Sequence, residues 1–220
     1  MSETTSTANA RIQTTRPRAS LAVAMLGFFV VALDAQIVNV ALPHIRAELG
    51  GGLSGLQWIV TGYTLMFSAL QLFGGTLSDR IGARRAYGIG MTVFVVASAV
   101  CAAAPSLTVL IAGRVLQGIG AAMITPTSLA LIREAFLDAV QRGRAITYWA
   151  LGGSVAAAAG PVLGGVLTQF GWRWIFLVNL PVGIVALVVL PRVAPSARRV
   201  APFDWAGQIA AIAALGGLTF

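Results

Sequence analysis

Gly75-Thr76-Leu77-Ser78-Asp79-Arg80-Ile81-Gly82-Ala83-Arg84-Arg85 lies between two long apolar runs. The stretch gathers one carboxylate, Asp79, and three guanidinium groups, Arg80, Arg84 and Arg85, into a connection too short to be a domain. Charges held between two apolar runs pin a hairpin at a membrane surface. Gly75 and Gly82 loosen the backbone around them. The stretch therefore reads as a charged loop about which the two flanking helices move relative to each other.

Working outward, hydrophobic residues make up 57% of the 220 residues and charged residues only 10%, with a mean hydropathy of +0.84. A soluble domain carries roughly a quarter of its residues as charges, so this chain is solvated by lipid. A bilayer is spanned by about 20 apolar residues in a helix. Runs of that kind fall at Ser20–Pro43, Leu53–Leu77, Ala86–Ala104, Leu107–Ile132, Ala145–Phe170 and Trp174–Pro191. They are unbroken rather than alternating, which argues for helices over strands. The expected architecture is an all-α six-helix transmembrane bundle over residues 20–191. A linker at 192–204 then leads to the start of a seventh helix at 205–220. That last stretch reaches only about 24 Å, short of the hydrocarbon core, and reads as truncated. Residues 1–19, polar and rich in Ser and Thr, read as a disordered tail. The first apolar run is too long for a cleavable signal peptide.

The net charge of +8 rests on 15 basic residues, every one an arginine. Twelve of them cluster before the first run, between the second and third, around the junction of the fourth and fifth, and after the sixth. Only Arg46 and Arg173 fall at the opposite ends, and Arg114 lies inside a run. By the positive-inside rule the N-terminus and the Gly75–Arg85 loop are cytoplasmic. The charge is thus a topology signal, and nucleic acid is not an expected partner.

Two ionisable residues sit within runs, Asp34 in the first and Arg114 in the fourth. A charge at mid-bilayer costs several kcal/mol unless paired or hydrated. Counted from Pro43 and Ser106, both lie about 12–13 Å below the outer face. Equal depth on separate helices is what an ion pair requires, whether a static pair or a proton-dependent switch. Gln36 and Asn39 lie near Asp34, and Gln117 is one turn from Arg114 on the same face. These polar residues are candidates to line a wet cavity, with Tyr63 and Gln71 weaker ones. Gly160-Pro161-Val162-Leu163-Gly164-Gly165 interrupts the fifth run, as a packing kink or as a hinge. His44 reads as a solvated interfacial histidine, and Cys101, the single cysteine, as a small core residue. Trp58, Trp172 and Trp174 fall where interfacial indoles are at home. The sequence holds no nucleotide-binding P-loop, metal-ligand cluster or nucleophile–histidine–acid set, so neither an enzyme nor a cofactor is expected.

Taken together, these segments resemble the major facilitator superfamily of secondary transporters. Gly75–Arg85 matches its loop signature Gly-x-x-x-Asp-Arg-x-Gly-x-Arg-Arg, and Arg114–Gly120 its Arg-x-x-x-Gly-x-Gly motif. Gly160–Gly165 resembles the fifth-helix motif of antiporters, with Ala156 where that motif usually has Gly. Leu33–Pro43 resembles the first-helix motif of the fourteen-helix drug:proton antiporter branch, with Gln36 in place of the usual Thr. Phe203–Gly207 is similar to the start of that branch's extra helix.

The resemblance implies the N-terminal half of a multi-pass transporter of the cell membrane that exports small lipophilic or cationic compounds against protons. On that basis Asp34, Arg114, Gln36, Asn39 and Gln117 form the coupling and substrate site. Gly75, Asp79, Arg80, Gly82, Arg84 and Arg85 form a conformational latch, and Gly160, Pro161, Gly164 and Gly165 a hinge. The expected partners are the bilayer, protons, a small-molecule substrate, and a missing C-terminal half or second bundle. Export of a native metabolite or amino acid, and a non-transporting fragment, remain the alternative readings.

Overall fold

The computed structural model describes residues 17–196. Residues 1–16 of the expected tail at 1–19, the distal part of the linker and the seventh stretch, residues 197–220, lie outside them, whereas residues 17–19 are not tail but the start of the first helix. Within the described residues the chain forms α1 (Pro17–Leu49), α2 (Leu53–Ile81), α3 (Ala83–Ala102), α4 (Leu107–Ala135), α5 (Ala139–Phe170), α6 (Trp174–Leu177) and α7 (Asn179–Val189). A single 3-10 turn, Leu190–Arg192, follows. No strand is found among the described residues, as the unbroken apolar runs require. Among the described residues, five segments are long and apolar enough to cross a membrane: α1, α3, α4, α5 and the composite Trp174–Arg192. The α2 helix spans 29 residues, but Gln57, Thr61, Thr64, Ser68 and Gln71 dilute its apolarity.

Several helix ends differ from the sequence expectation. Pro43 lies inside α1, which continues to Leu49: proline costs one internal hydrogen bond but leaves the following turn free to form. His44 and Arg46 therefore sit on the helix, exposed. The Gly75–Arg85 stretch is not a loop. α2 runs helically to Ile81 and α3 begins at Ala83, with Gly82 alone between them. Gly82 adopts φ +89°, a left-handed value that a side chain disfavours, and this one residue turns the chain. The sixth run, expected as one helix, is interrupted at Val178. Pro181 has no N–H for the Leu177 carbonyl, which weakens the turn at that point. The fifth run shows the opposite outcome, since α5 continues through Pro161 without a break.

At one end of the bundle, the end of α1 meets the α5–α6 junction. Trp172 Nε1 donates to Glu48 Oε2 at 2.7 Å, Arg173 is ion-paired with Glu48, and Arg173 Nη2 donates to the Ala104 carbonyl at 3.2 Å. Trp172 is consequently buried, not interfacial, whereas Trp174 is half exposed. At the other end, Ser196 Oγ accepts from the Arg84 backbone N–H at 3.0 Å. The chain after α7 thus caps the start of α3, where Gly82 offers no side-chain cap. Between the ends, α4 packs against α2 and α3 and α1 packs against α5.

The α2–α4 contact depends on absent side chains. A Cβ at Gly118 would lie 2.4 Å from the Tyr63 carbonyl oxygen, so only glycine permits this approach. Two large apolar clusters fill the interior, with a smaller third one of Ala24, Ile132 and Ala145. One of the large two contains Leu33, Ile37, Leu110 and Phe176, the other Val30, Val31, Phe94 and Ala121.

Candidate functional site

Where the two large apolar clusters meet, five helices deliver polar side chains to one point. Asp34 comes from α1, Tyr63 from α2, Ser98 and Cys101 from α3, Arg114 and Gln117 from α4, and Asn179 from the start of α7. Asp34 is 0% exposed and Arg114 1%. Two such charges in a lipid-solvated chain persist only if each is answered by a partner and by hydrogen bonds.

Both are. Arg114 Nη1 donates to Asp34 Oδ2 at 2.5 Å and to Gln117 Oε1 at 2.9 Å, while Nε donates to the Ile59 carbonyl at 3.1 Å. The guanidinium plane lies over the Tyr63 ring, 4.2 Å from its centroid, which adds a cation–π attraction in a site without water's screening. Asp34 Oδ1, the oxygen turned away from arginine, accepts from Asn179 Nδ2 at 2.8 Å and from Gln117 Nε2 at 3.2 Å. Ser98 Oγ accepts from Gln117 Nε2 at 2.7 Å and donates to the Phe94 carbonyl at 2.8 Å. The Cys101 thiol donates to Gln117 Oε1 at 3.4 Å.

The equal depth inferred for Asp34 and Arg114 thus corresponds to a direct ion pair, and Gln117 joins it from one turn along α4. Gln36 and Asn39 do not. Both are exposed on another face of α1. Asn39 Nδ2 donates back to the Ala35 carbonyl at 3.3 Å, and Gln36 lies against Gly160, where a Cβ would come within 2.6 Å of the Gln36 Cβ. Two residues of helix separate Gln36 from Asp34 by about 200° of rotation, enough to part them. Gln71 is half-buried and takes no part in the cluster. Ser98 and Asn179 were not candidates from sequence, and Cys101 was read only as core. The available signal was Asn179 itself, an amide within an apolar run two residues before a proline. Ser98 carried none, since serine among alanines reads as helix packing.

The latch residues lie away from the cluster, at the end of α2, at the Gly82 joint and in the first turn of α3. Asp79, Arg80 and Arg85 are exposed, Arg84 is half-buried and Gly82 is buried. In α5, Gly160 and Gly164 pack on Gln36, Ile37 and Val40 of α1, while a Cβ at Gly165 would meet nothing within 4 Å.

Comparison with known proteins gives this arrangement a setting. The family model described as Major Facilitator Superfamily matches residues 24–216. The methylenomycin A resistance protein of Bacillus subtilis (strain 168) is 44% identical over 205 residues, covering 91% of this chain and 43% of that protein. The multidrug resistance protein Stp of Mycobacterium tuberculosis (strain CDC 1551 / Oshkosh) is 44% identical over 198 residues, 89% of this chain and 37% of the relative. The chain therefore spans less than half the length of these curated relatives. A solved peptide transporter, POT (E310Q mutant) in complex with sulfate, superimposes with a TM-score of 0.72 at 18% identity, over 92% of this chain and 44% of that one. At that identity the likeness concerns the fold.

Proposed function

The chain belongs to the Major Facilitator Superfamily, a family of multi-pass membrane transporters, and on that premise we propose that it is one half of a proton-coupled exporter of small organic compounds. The carrying observation is the wholly buried Asp34–Arg114 pair. A proton on Asp34 removes the charge that holds Arg114, and its departure restores it. Proton uptake is thereby converted into a change of contacts between α1 and α4. The substrate class is supported by the relatives' names, which include multidrug resistance protein Stp and the cephamycin export protein CmcT of Amycolatopsis lactamdurans.

In this reading the arginine-rich end of the bundle faces the cytoplasm of a cell membrane. The joint at Gly82, with Asp79, Arg80, Arg84 and Arg85 around it, is a latch that favours one state of a rocking cycle. Gly75 eases the last turns of α2 beside it. Gly160, Pro161, Gly164 and Gly165 let α5 slide against α1, whose Gln36 and Asn39 face the substrate path. That path lies between this bundle and a second one, the remainder of a full-length transporter. The proton gradient supplies the energy, with no bound cofactor.

Asp34→Asn in the full-length protein is expected to abolish efflux driven by an imposed pH gradient while membrane insertion continues. Undiminished gradient-driven efflux in that variant would sink the assignment.

A further inference from the structure

We propose that Asn179 is a positioning residue that reverses its side-chain amide when Asp34 takes up a proton, so that one residue serves both charge states of the carboxyl. The proposal rests on Asp34 being the protonated group. It starts from an orphan: Asn179 Oδ1 is a buried side-chain oxygen with no hydrogen-bond partner, although its own Nδ2 is bonded to Asp34 Oδ1 at 2.8 Å. A buried unsatisfied acceptor is costly and rare, and this one belongs to the group in contact with the candidate proton site.

The neighbours of Asp34 show why the orphan matters. Arg114 faces Oδ2, and two amide N–H groups, from Gln117 and Asn179, face Oδ1. This shell suits a carboxylate, which only accepts. Tyr63 stands behind the arginine on α2, Cys101 reaches the shell from α3 through Gln117, and α5 carries no titratable side chain from Trp149 to Phe170. A proton placed on Oδ1 would turn that oxygen into a donor aimed at two donors, so one amide must turn round.

Gln117 is locked, because its Oε1 already accepts from Arg114 Nη1 at 2.9 Å and from the Cys101 thiol at 3.4 Å. Asn179 is not, since its oxygen holds nothing. Ser98 Oγ, 3.4 Å from Asn179 Nδ2, accepts from the amide N–H in this state and, on turning its proton away from the Phe94 carbonyl, donates to the amide oxygen in the other. On protonation the N–H···O bond from Asn179 to the carboxylate breaks and an O–H···O bond from Asp34 to Asn179 Oδ1 forms. Loss of the proton reverses both. Asn179 sits immediately after the interruption at Val178, so the reversal reads the state of Asp34 out to the junction of α6 and α7.

Infrared difference spectroscopy of the full-length protein between high and low pH tests this, with Asp34→Asn used to identify the Asp34 carboxylic-acid band. The expected result is a band at the position of a hydrogen-bond-donating acid, shifted to higher wavenumber in Asn179→Leu and returned in Asn179→Ser, whose hydroxyl also donates or accepts. Proton-coupled efflux is expected to fall about tenfold in the leucine variant, the scale of one unsatisfied buried polar group, with substantial recovery in the serine variant. An acid band at the same wavenumber in the parent and in Asn179→Leu overturns the proposal.

Should the leucine variant fail to fold, isotope-labelled asparagine in the parent decides. An amide carbonyl band that shifts with pH and is silent in Asp34→Asn supports the reversal, and an invariant one overturns it. Full gradient-driven efflux in Asp34→Asn alongside the expected band shifts would refute Asp34 as the coupling site while upholding the amide reversal.

Discussion

Two ion pairs are anchored on α1, about 21 Å apart along its axis, and they differ in almost everything except chemistry. Asp34–Arg114 is shut away, with both side chains at or near 0% exposure, whereas Glu48–Arg173 stands at 50% and 37%. The outer pair is a clasp. Arg173 stacks over the Trp172 ring at 4.3 Å and holds the Ala104 carbonyl, so its aromatic and backbone contacts persist if the carboxylate is lost. The inner pair keeps an aromatic and a backbone contact for Arg114 alone, through Tyr63 and the Ile59 carbonyl, but loss of either charge leaves the other buried and uncompensated. Environment therefore decides what an acid–base pair does. In water it is a screened and replaceable fastening, and in the interior each charge depends on the other for its compensation.

The sharpest way to break the comparison is to remove one partner from each pair. Arg114→Leu leaves the Asp34 charge uncompensated in an apolar interior and is expected to destabilise the protein by about 3–5 kcal/mol. Arg173→Leu is expected to cost far less. Adding Asp34→Leu to Arg114→Leu should recover much of the lost stability, since an apolar pair needs no compensation. Thermal unfolding in detergent, followed by monodispersity, measures all of these. Equal losses for Arg114→Leu and Arg173→Leu would erase the distinction between the pairs.

A smaller effect comes from the packing that holds Arg114 in place. Gly118→Ala pushes a methyl into the Tyr63 carbonyl, 2.4 Å away, and into the Met66 Cβ at 3.0 Å, one turn from Arg114. Overpacking of this kind costs about 1–3 kcal/mol. Gly143→Ala, with open space at its Cβ, is expected to be neutral or stabilising, because alanine is the better helix former. Differential scanning fluorimetry of the two variants side by side tests whether α2–α4 contact, not glycine content, sets the geometry of the inner pair.

How far this site was legible in the sequence follows from the same contrast. Asp34 and Arg114 stood out because a charge in an apolar run has few explanations, and counting residues from the helix ends put them at one depth. Gln36 and Asn39 stand apart from that pair because proximity along a helix is not a shared face, and the rotation of α1 is fixed by packing against α4 and α5. The apparent loop at Gly75–Arg85 failed as a loop for a related reason. Charged residues mark a membrane surface, but arginine is also a good helix former, and only Gly82 breaks the run. Asn179 was hidden in plain view, since an amide in a span acquires meaning only when the fold sets it against Asp34 Oδ1. The interruption before it was encoded by Pro181, whereas Pro43 and Pro161 left α1 and α5 intact. A proline permits a break, and packing decides whether one occurs.

The smallest expected effect tests the outer pair through pH and salt. Hydrogen bonds from Arg173 and then Trp172 hold the Glu48 carboxyl below its ordinary value of 4.5. A carboxyl lowered on folding contributes stability that is present above its ordinary value and lost as pH falls through the lowered one. Glu48→Gln should therefore lower the thermal midpoint slightly at neutral pH. The gap should close on acidification below 4.5, where the parent loses the same charge, and shrink with added salt, which screens exposed charges. A gap that held through acid and high salt would mean that the clasp acts through its packing on Trp172, and that its charge contributes little even in water.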